Sequence, residues 1–304
     1  MRRHRGRRRT WCALLAAALA VVVLPAPAGA TIKPKPPVLP LFGPVRIVAG
    51  TGSTGSSLGT TYSAVANCPV RTKVLGGGFT APFGAGAGLV VYESYRSGPT
   101  SWTVSAVNAG GSGAVTAYAY CRRTRLKVTS ISASTSVGAG FAANASLPLT
   151  CPAGTRVISG GFQTTIGPAP SQFLNTVEST GALKQWATAA VNYRSGPETL
   201  TASAYCMKGI HPRPQFRQDQ TSLSVPPFGS VSVSSACAPA PFVQGKRAHQ
   251  ALSAGGFYSP FRLDGTVIPV ITESRRSGKR WVQTAVNGGN APGSLTVQSQ
   301  SMCF

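Results

Sequence analysis

The chain has six carboxylate side chains, and half of them occupy one recurring position: Glu93-Ser94, Glu178-Ser179 and Glu273-Ser274. Eight or nine residues after each Glu comes a tryptophan, Trp102, Trp186 or Trp281. Six residues after each Trp comes an asparagine, Asn108, Asn192 or Asn287, inside Ala-Val-Asn. A carboxylate and an amide can grip sugar hydroxyls while an indole stacks on the ring, so these nine residues are the candidate ligand-binding set. Each type has a structural reading beside the functional one. Glu can accept backbone N–H bonds or pair with a neighbouring Arg, Trp can be the one large core anchor of a small unit, and Asn can satisfy a turn.

Catalysis has little to work with. Glycoside hydrolysis uses two carboxylates about 5–10 Å apart, and one Glu per position supplies only half of the pair. Gly50-Thr-Gly52-Ser-Thr-Gly55 matches a dinucleotide fingerprint, but Ser56-Ser57-Leu58-Gly59 follows instead of a helix, and the next acid is Glu93. Gly55-Ser-Ser57-Leu-Gly59 matches a nucleophile elbow within the same Gly/Ser tract. The only His residues beyond the first 30 positions, His211 and His249, lie in a linker and an insertion. Two His, no Cys-x-x-Cys and Asp only at 219 and 264 provide no metal set. The expectation is a non-enzyme with no metal and no cofactor.

The elements that carry these residues recur in order. Cys68-Pro-Val-Arg-Thr-Lys-Val-Leu-Gly-Gly-Gly-Phe79 matches Cys151-Pro-Ala-Gly-Thr-Arg-Val-Ile-Ser-Gly-Gly-Phe162, and Cys237 reaches Gly255-Gly256-Phe257 after nine extra residues. Each run closes on Cys121, Cys206 or Cys303. Three repeats are expected at 45–121, 128–206 and 219–304. Val115–Cys121 and Leu200–Cys206 alternate small apolar residues with Thr, Ser and Tyr, and Trp102, Val104, Ala106 and Asn108 share a face, so the repeat reads as β. The fold class is all-β: three tandem, disulfide-stapled, antiparallel β-sandwich-like repeats of about six strands each. Six Cys allow 15 pairings. Only pairing within a copy lets similar units fold similarly, which predicts Cys68–Cys121, Cys151–Cys206 and Cys237–Cys303. Short joins at 122–127 and 207–218 leave open whether the units pack as three sandwiches or as a pseudo-threefold assembly.

Residues 1–30 have the layout of a secretory signal peptide: an Arg-rich start, an apolar run Trp11–Leu24, and Ala28-Gly29-Ala30. Residues 31–44 form a Pro-rich leader. Removing the signal takes six of 29 Lys+Arg and no acid, leaving 23 against six, a charge of +17. The joins 122–127 and 207–218 carry +4 and +3 of it. Such a surface suits an anionic cell-wall polymer or glycan. Export argues against nucleic acid, and no segment after the signal is long and apolar enough to span a membrane as a helix.

The recurring phrases resemble the units of secreted repeat proteins of high-GC Gram-positive bacteria, which read Cys-Pro-x-Gly-Thr-x-Val-x-Gly-Gly-Gly, Trp-x-Val-x-Ala-x-Asn and Ala-Tyr-x-x-Cys, a group with no assigned activity. Copy three departs most, with the insertion near Gln244–Gln250 and no Ala-Tyr before Cys303. A six-stranded sandwich used in threes also looks like the architecture of H-type lectins, by architecture alone. The expected function is a secreted, non-enzymatic binding protein of the cell surface, for carbohydrate or envelope polymer. A purely structural or protein-interaction role is the alternative.

Overall fold

Runs of Val, Thr, Ala and Ser broken by Gly and Pro make strands here, because β-branched and small side chains fit a pleated surface and the breakers turn the chain. The computed structural model describes residues 45–53, 57–139, 143–165, 173–178, 184–192, 195–208, 215–237, 251–253, 256–257 and 267–303. The expected signal peptide and leader, His211, His249 and Asp264 lie outside them. No helix is present among the described residues, and none is long and apolar enough to cross a membrane.

The first stretch forms β1 (Arg46–Ser53), β2 (Thr61–Asn67), β3 (Lys73–Thr80), the short β4 (Phe83–Gly84), β5 (Ala87–Tyr95), β6 (Ser101–Gly111) and β7 (Ala114–Arg122). The second forms β8 (Val128–Val137), β9 (Ala143–Thr150), β10 (Thr155–Thr164), β11 (Phe173–Glu178), β12 (Gln185–Asn192) and β13 (Glu198–Lys208). The third forms β14 (Gln215–Val225), β15 (Ser230–Ala236), β16 (Ala251–Ser253), β17 (Gly256–Phe257), β18 (Pro269–Ser277), β19 (Arg280–Asn287) and β20 (Gly293–Cys303). The second join is shorter than the expected 207–218, since β13 runs through Lys208 and β14 starts at Gln215.

All pairing is antiparallel. One sheet runs β1-β7-β3-β18-β19-β15 and a second runs β2-β6-β5-β10-β13-β8, with β4 on β5. Two smaller sheets are β11-β12-β9 and β14-β20-β16, with β17 also on β20. The long sheets cross between distant stretches of chain. β3 meets β18 at Thr80–Glu273 and Phe79–Ser274, and β5 meets β10 at Ser94–Phe162 and Glu93–Gln163.

The alternation expected of the strands is present. Val115, Ala117, Ala119 and Cys121 are fully buried, as are Leu200, Ala202, Ala204 and Cys206. Their faces join Ala64, Ala66, Val74, Val104 and Ala106 in the largest core cluster and its neighbours. The three disulfides are Cys68–Cys121, Cys151–Cys206 and Cys237–Cys303. Each spans more than 50 residues of chain and removes about 4 kcal/mol of loop entropy from the unfolded state.

The turn after each first Cys is built alike in two places. Thr72 Oγ1 donates to Pro69 O and Thr155 Oγ1 to Pro152 O, both at 2.6 Å. The third residue after Cys has a left-handed backbone, φ 77° at Gly154 and φ 65° at Arg71. Glycine adopts that conformation freely and arginine does so under strain. Arg71→Gly is therefore expected to stabilise the protein by about 1 kcal/mol, read as a higher denaturant midpoint at unchanged slope.

Candidate functional site

Part of the recurring set lies at the two places where the long sheets change from one stretch of chain to another. At the first seam β5 meets β10. Gly160 and Gly161 there do different jobs. A Cβ on Gly160 would land inside the indole of Trp186, while one on Gly161 would sit 2.6 Å from Ser94 O across the seam. At the second seam β3 meets β18, and the same division holds. A Cβ on Gly77 would overlap the Trp102 ring, and one on Gly78 would overlap Ser274 O. The Gly-Gly step thus gives room to a tryptophan on one face and to a neighbouring backbone on the other.

At both seams the Ser of the Glu-Ser phrase binds the tryptophan that follows it. Trp102 Nε1 donates to Ser94 Oγ at 3.1 Å, and Trp281 Nε1 to Ser274 Oγ at 3.3 Å. The other side of each indole meets a tyrosine from across the seam. Trp102 packs edge-to-face on Tyr205 at 5.8 Å between centroids, and Trp281 on Tyr120 at 5.6 Å. Such aromatic pairs add roughly 0.5–1.5 kcal/mol beyond their buried area. Each tyrosine hydroxyl then accepts the backbone N–H two residues past the Ser: Arg96 N to Tyr205 Oη at 2.7 Å and Arg276 N to Tyr120 Oη at 2.6 Å.

Trp102, Trp186 and Trp281 are 1–2% exposed, and Asn108, Asn192 and Asn287 are fully buried. As candidate sugar ligands these six side chains are corrected: they face the interior, because a small β unit needs a large core anchor and its hairpin turns need their amides filled. Asn108 Nδ2 donates to Gly111 O and its Oδ1 accepts from Gly110 N, both at 2.8 Å. Asn192 Nδ2 donates to Gly138 O and Gly196 O at 2.8 Å. Asn287 Nδ2 donates to Ala291 O at 2.8 Å, and its Oδ1 accepts from Gly289 N at 2.9 Å.

Glu93 and Glu273 sit at the seams. Glu93 Oε1 accepts from Gln163 Nε2 at 3.4 Å, across the β5–β10 junction. Glu273 Oε1 lies 2.7 Å from Arg275 Nε, and its Oε2 accepts from Thr284 Oγ1 at 3.0 Å. Both side chains are half-buried. Glu178 pairs through its backbone with Ala187; its side chain lies outside the described residues. No group of His, Cys, Asp and Glu among the described residues could hold a metal ion.

Tyr120, Tyr205, Ser94, Ser274, Arg96 and Arg276 were not singled out from the sequence. The Ala-Tyr-Cys and Glu-Ser phrases carried the signal for the first four, yet a hydroxyl in a strand announces no partner. No family model matches the chain, and no curated protein sequence is significantly similar to it.

Burial raises the Tyr205 hydroxyl to about 12, an effect that the Arg96 N–H only partly offsets. An acid whose folded pKa is raised contributes stability that is complete below the unfolded value near 10 and is lost as pH rises through the folded value. The stability of the wild type relative to Tyr205→Phe should therefore be constant to about pH 10 and fall between pH 10 and 12, measured by denaturant unfolding. A difference independent of pH would place the hydroxyl outside the seam.

Proposed function

We propose that the protein is a secreted, non-enzymatic binding protein of the cell envelope, holding an anionic polymer through its exposed basic side chains. The observation that carries this reading is the fate of the acids. Glu93 and Glu273 are engaged at the seams, and Glu198 is buried with Thr165 Oγ1 on it. Among the acids whose side chains are described, Asp219 is the one exposed, whereas Arg71, Arg123, Arg125, Lys127, Lys208 and Arg217 are among the exposed cations. Three disulfides are compatible with an extracellular protein. Stacking of sugars on the recurring tryptophans has no support, since the indoles are buried. Retention on isolated cell walls should fall steeply from low to physiological salt. Replacing Arg123, Arg125 and Lys127 with Gln should weaken it about tenfold, at roughly 0.2–1 kcal/mol per exposed charge. Salt-insensitive retention would remove this account and favour the purely structural role.

We also infer a ring of three copies of one six-strand unit, a reading supported by the strand orders. In each stretch the first, last and third strands pair (β1-β7-β3, β8-β13-β10, β14-β20-β16), and so do the second, fifth and fourth (β2-β6-β5, β9-β12-β11, β15-β19-β18). The third strand of one copy then meets the fourth of another, as β3 with β18 and β10 with β5, while β17 packs beside β11. In a closed ring the gap from β20 to β1 equals that from β7 to β8. A circular permutant that opens before Val128 and joins residues 45–122 behind Phe304, through a linker as short as 123–127, should fold with all three disulfides. Failure of that permutant, with recovery on lengthening the linker, would indicate an open arrangement.

A further inference from the structure

The first cysteine of each stretch sits in an equivalent turn. Cys68 N donates to Thr100 O, Cys151 N to Lys184 O and Cys237 N to Lys279 O, so each disulfide lies beside the residue that precedes a tryptophan strand. The seams bring these turns together at one end of the molecule. Arg96 N reaches Tyr205 Oη next to Cys206, and Arg276 N reaches Tyr120 Oη next to Cys121. Every Lys and Arg among the described residues lies at this disulfide end, in a turn or join there or within three residues of a strand end there. Arg46 opposes Cys121 in register, Arg156 opposes Met207, Arg217 opposes Ser301 and Arg280 opposes Ala236. All three stretches thus contribute. The far end, where Asn108, Asn192 and Asn287 fill the turns, carries no cation among the described residues.

Solubility alone does not explain this placement, because charges scattered over the molecule would serve it with less mutual repulsion. In the first long sheet β1, β7, β3, β18 and β19 are successive strands, and each brings a Lys or Arg to this end. Neighbouring strands lie about 4.8 Å apart, inside a Debye length of about 8 Å at physiological salt, so salt leaves much of the repulsion in place. Carboxylates offset little of it. Among those with placed side chains, only Glu273, on Arg275, and Asp219, two residues beyond Arg217, come near this end. Arg71 is the sharpest case. It is exposed and holds a left-handed backbone in the turn where the second stretch has Gly154. A strained residue kept where glycine fits points to a use for its side chain.

We infer that the disulfide end as a whole is the docking face for the anionic envelope polymer, held by cations of all three stretches at once, with the far end turned away from it. The inference rests on the polymer reading above and adds where the polymer lies. Cations spread over the ends of a six-stranded sheet, roughly 24 Å wide, match a chain of repeated anionic groups rather than a single small anion. One chain engaging several separate cations binds multivalently, so the length of the polymer itself adds affinity. The face is therefore wider than the join that carries Arg123, Arg125 and Lys127.

The test uses the mature protein with long-chain inorganic polyphosphate, followed by isothermal titration at low and physiological salt, with tripolyphosphate as the short control. The long chain should bind about tenfold tighter or more per phosphate, and its affinity should fall with salt. Arg71→Gly, Lys208→Gln and Lys279→Gln remove one exposed cation from each stretch, and each should weaken binding roughly 1.5- to 5-fold. Arg71→Gly should do so while raising the denaturant midpoint, which separates lost binding from lost folding. Leu58 is exposed at the far end, beside the Gly59 N–H that donates to Asn108 O, and Leu58→Lys should leave the affinity unchanged. Absence of salt-sensitive binding in the wild type would remove the polymer reading itself. Salt-sensitive binding that only replacements at Arg123, Arg125 and Lys127 weaken, or that Leu58→Lys strengthens as much as Lys208→Gln weakens it, would keep that reading and overturn the docking face. Equal affinity per phosphate for tripolyphosphate, or tighter binding to anionic phospholipid vesicles than to the long chain, would overturn it as well.

Discussion

Two backbones meet at each seam where no side chain can stand between them. Any Cβ at Gly78 or Gly161 would collide with the carbonyl of Ser274 or Ser94, so hydrogen alone is tolerated there. The rest of the local structure follows from that contact. The adjacent Gly77 or Gly160 gives room on the other face to Trp102 or Trp186, while the Ser at the contact receives the N–H of a different indole, Trp281 at Ser274 and Trp102 at Ser94, over which a tyrosine from the joined stretch closes. The tyrosine hydroxyl then takes a backbone N–H of the partner strand at its next position, which adds a fixed hydrogen bond at the point where the ladder is shortest. A buried hydroxyl of this kind sets register as much as it adds energy, because only one alignment satisfies it.

Features that a strand carries within itself were legible in the sequence. The small-residue faces of β7 and β13, the shared face of Trp102, Val104, Ala106 and Asn108, and the three disulfide pairs all follow from alternation and from likeness between stretches. What the sequence concealed was the partner of each edge strand. β3 ends at Thr80 and β18 begins only at Pro269, and their match rests on the absence of a side chain at Gly78, which leaves no pattern in β18 to recognise. The recurring Glu, Trp and Asn drew attention as a binding set because polar and aromatic residues at fixed spacing suggest ligands. They recur for a different reason: each seam and each hairpin turn presents the same buried polar groups, and the same side chains satisfy them.

The third stretch differs from the other two in one member of the set. Met302 stands before Cys303 where Tyr120 and Tyr205 stand before Cys121 and Cys206. It joins the core cluster that holds Trp186 and offers no hydroxyl to a strand across the way. Among the described residues Trp186 Nε1 has no hydrogen-bond partner, and β11 and β17 are not joined in one ladder as β5–β10 and β3–β18 are. The loss of one oxygen and the loss of sheet continuity coincide, which is the expected direction if the hydroxyl helps to hold the two edges in register.

The same economy shapes the electrostatics. Carboxylates are few, and the described glutamates with placed side chains are held by Gln163, Thr165, Arg275 and Thr284. The surface is consequently left to Lys and Arg, whose mutual repulsion favours an expanded chain. A β unit of this size has a modest core with which to resist that pressure. Disulfides act on the other side of the balance, since each cross-link removes expanded conformations from the unfolded ensemble and so limits how far repulsion can be relieved by unfolding. A strongly basic exterior and a covalently closed interior are therefore not independent traits of this protein: the second permits the first.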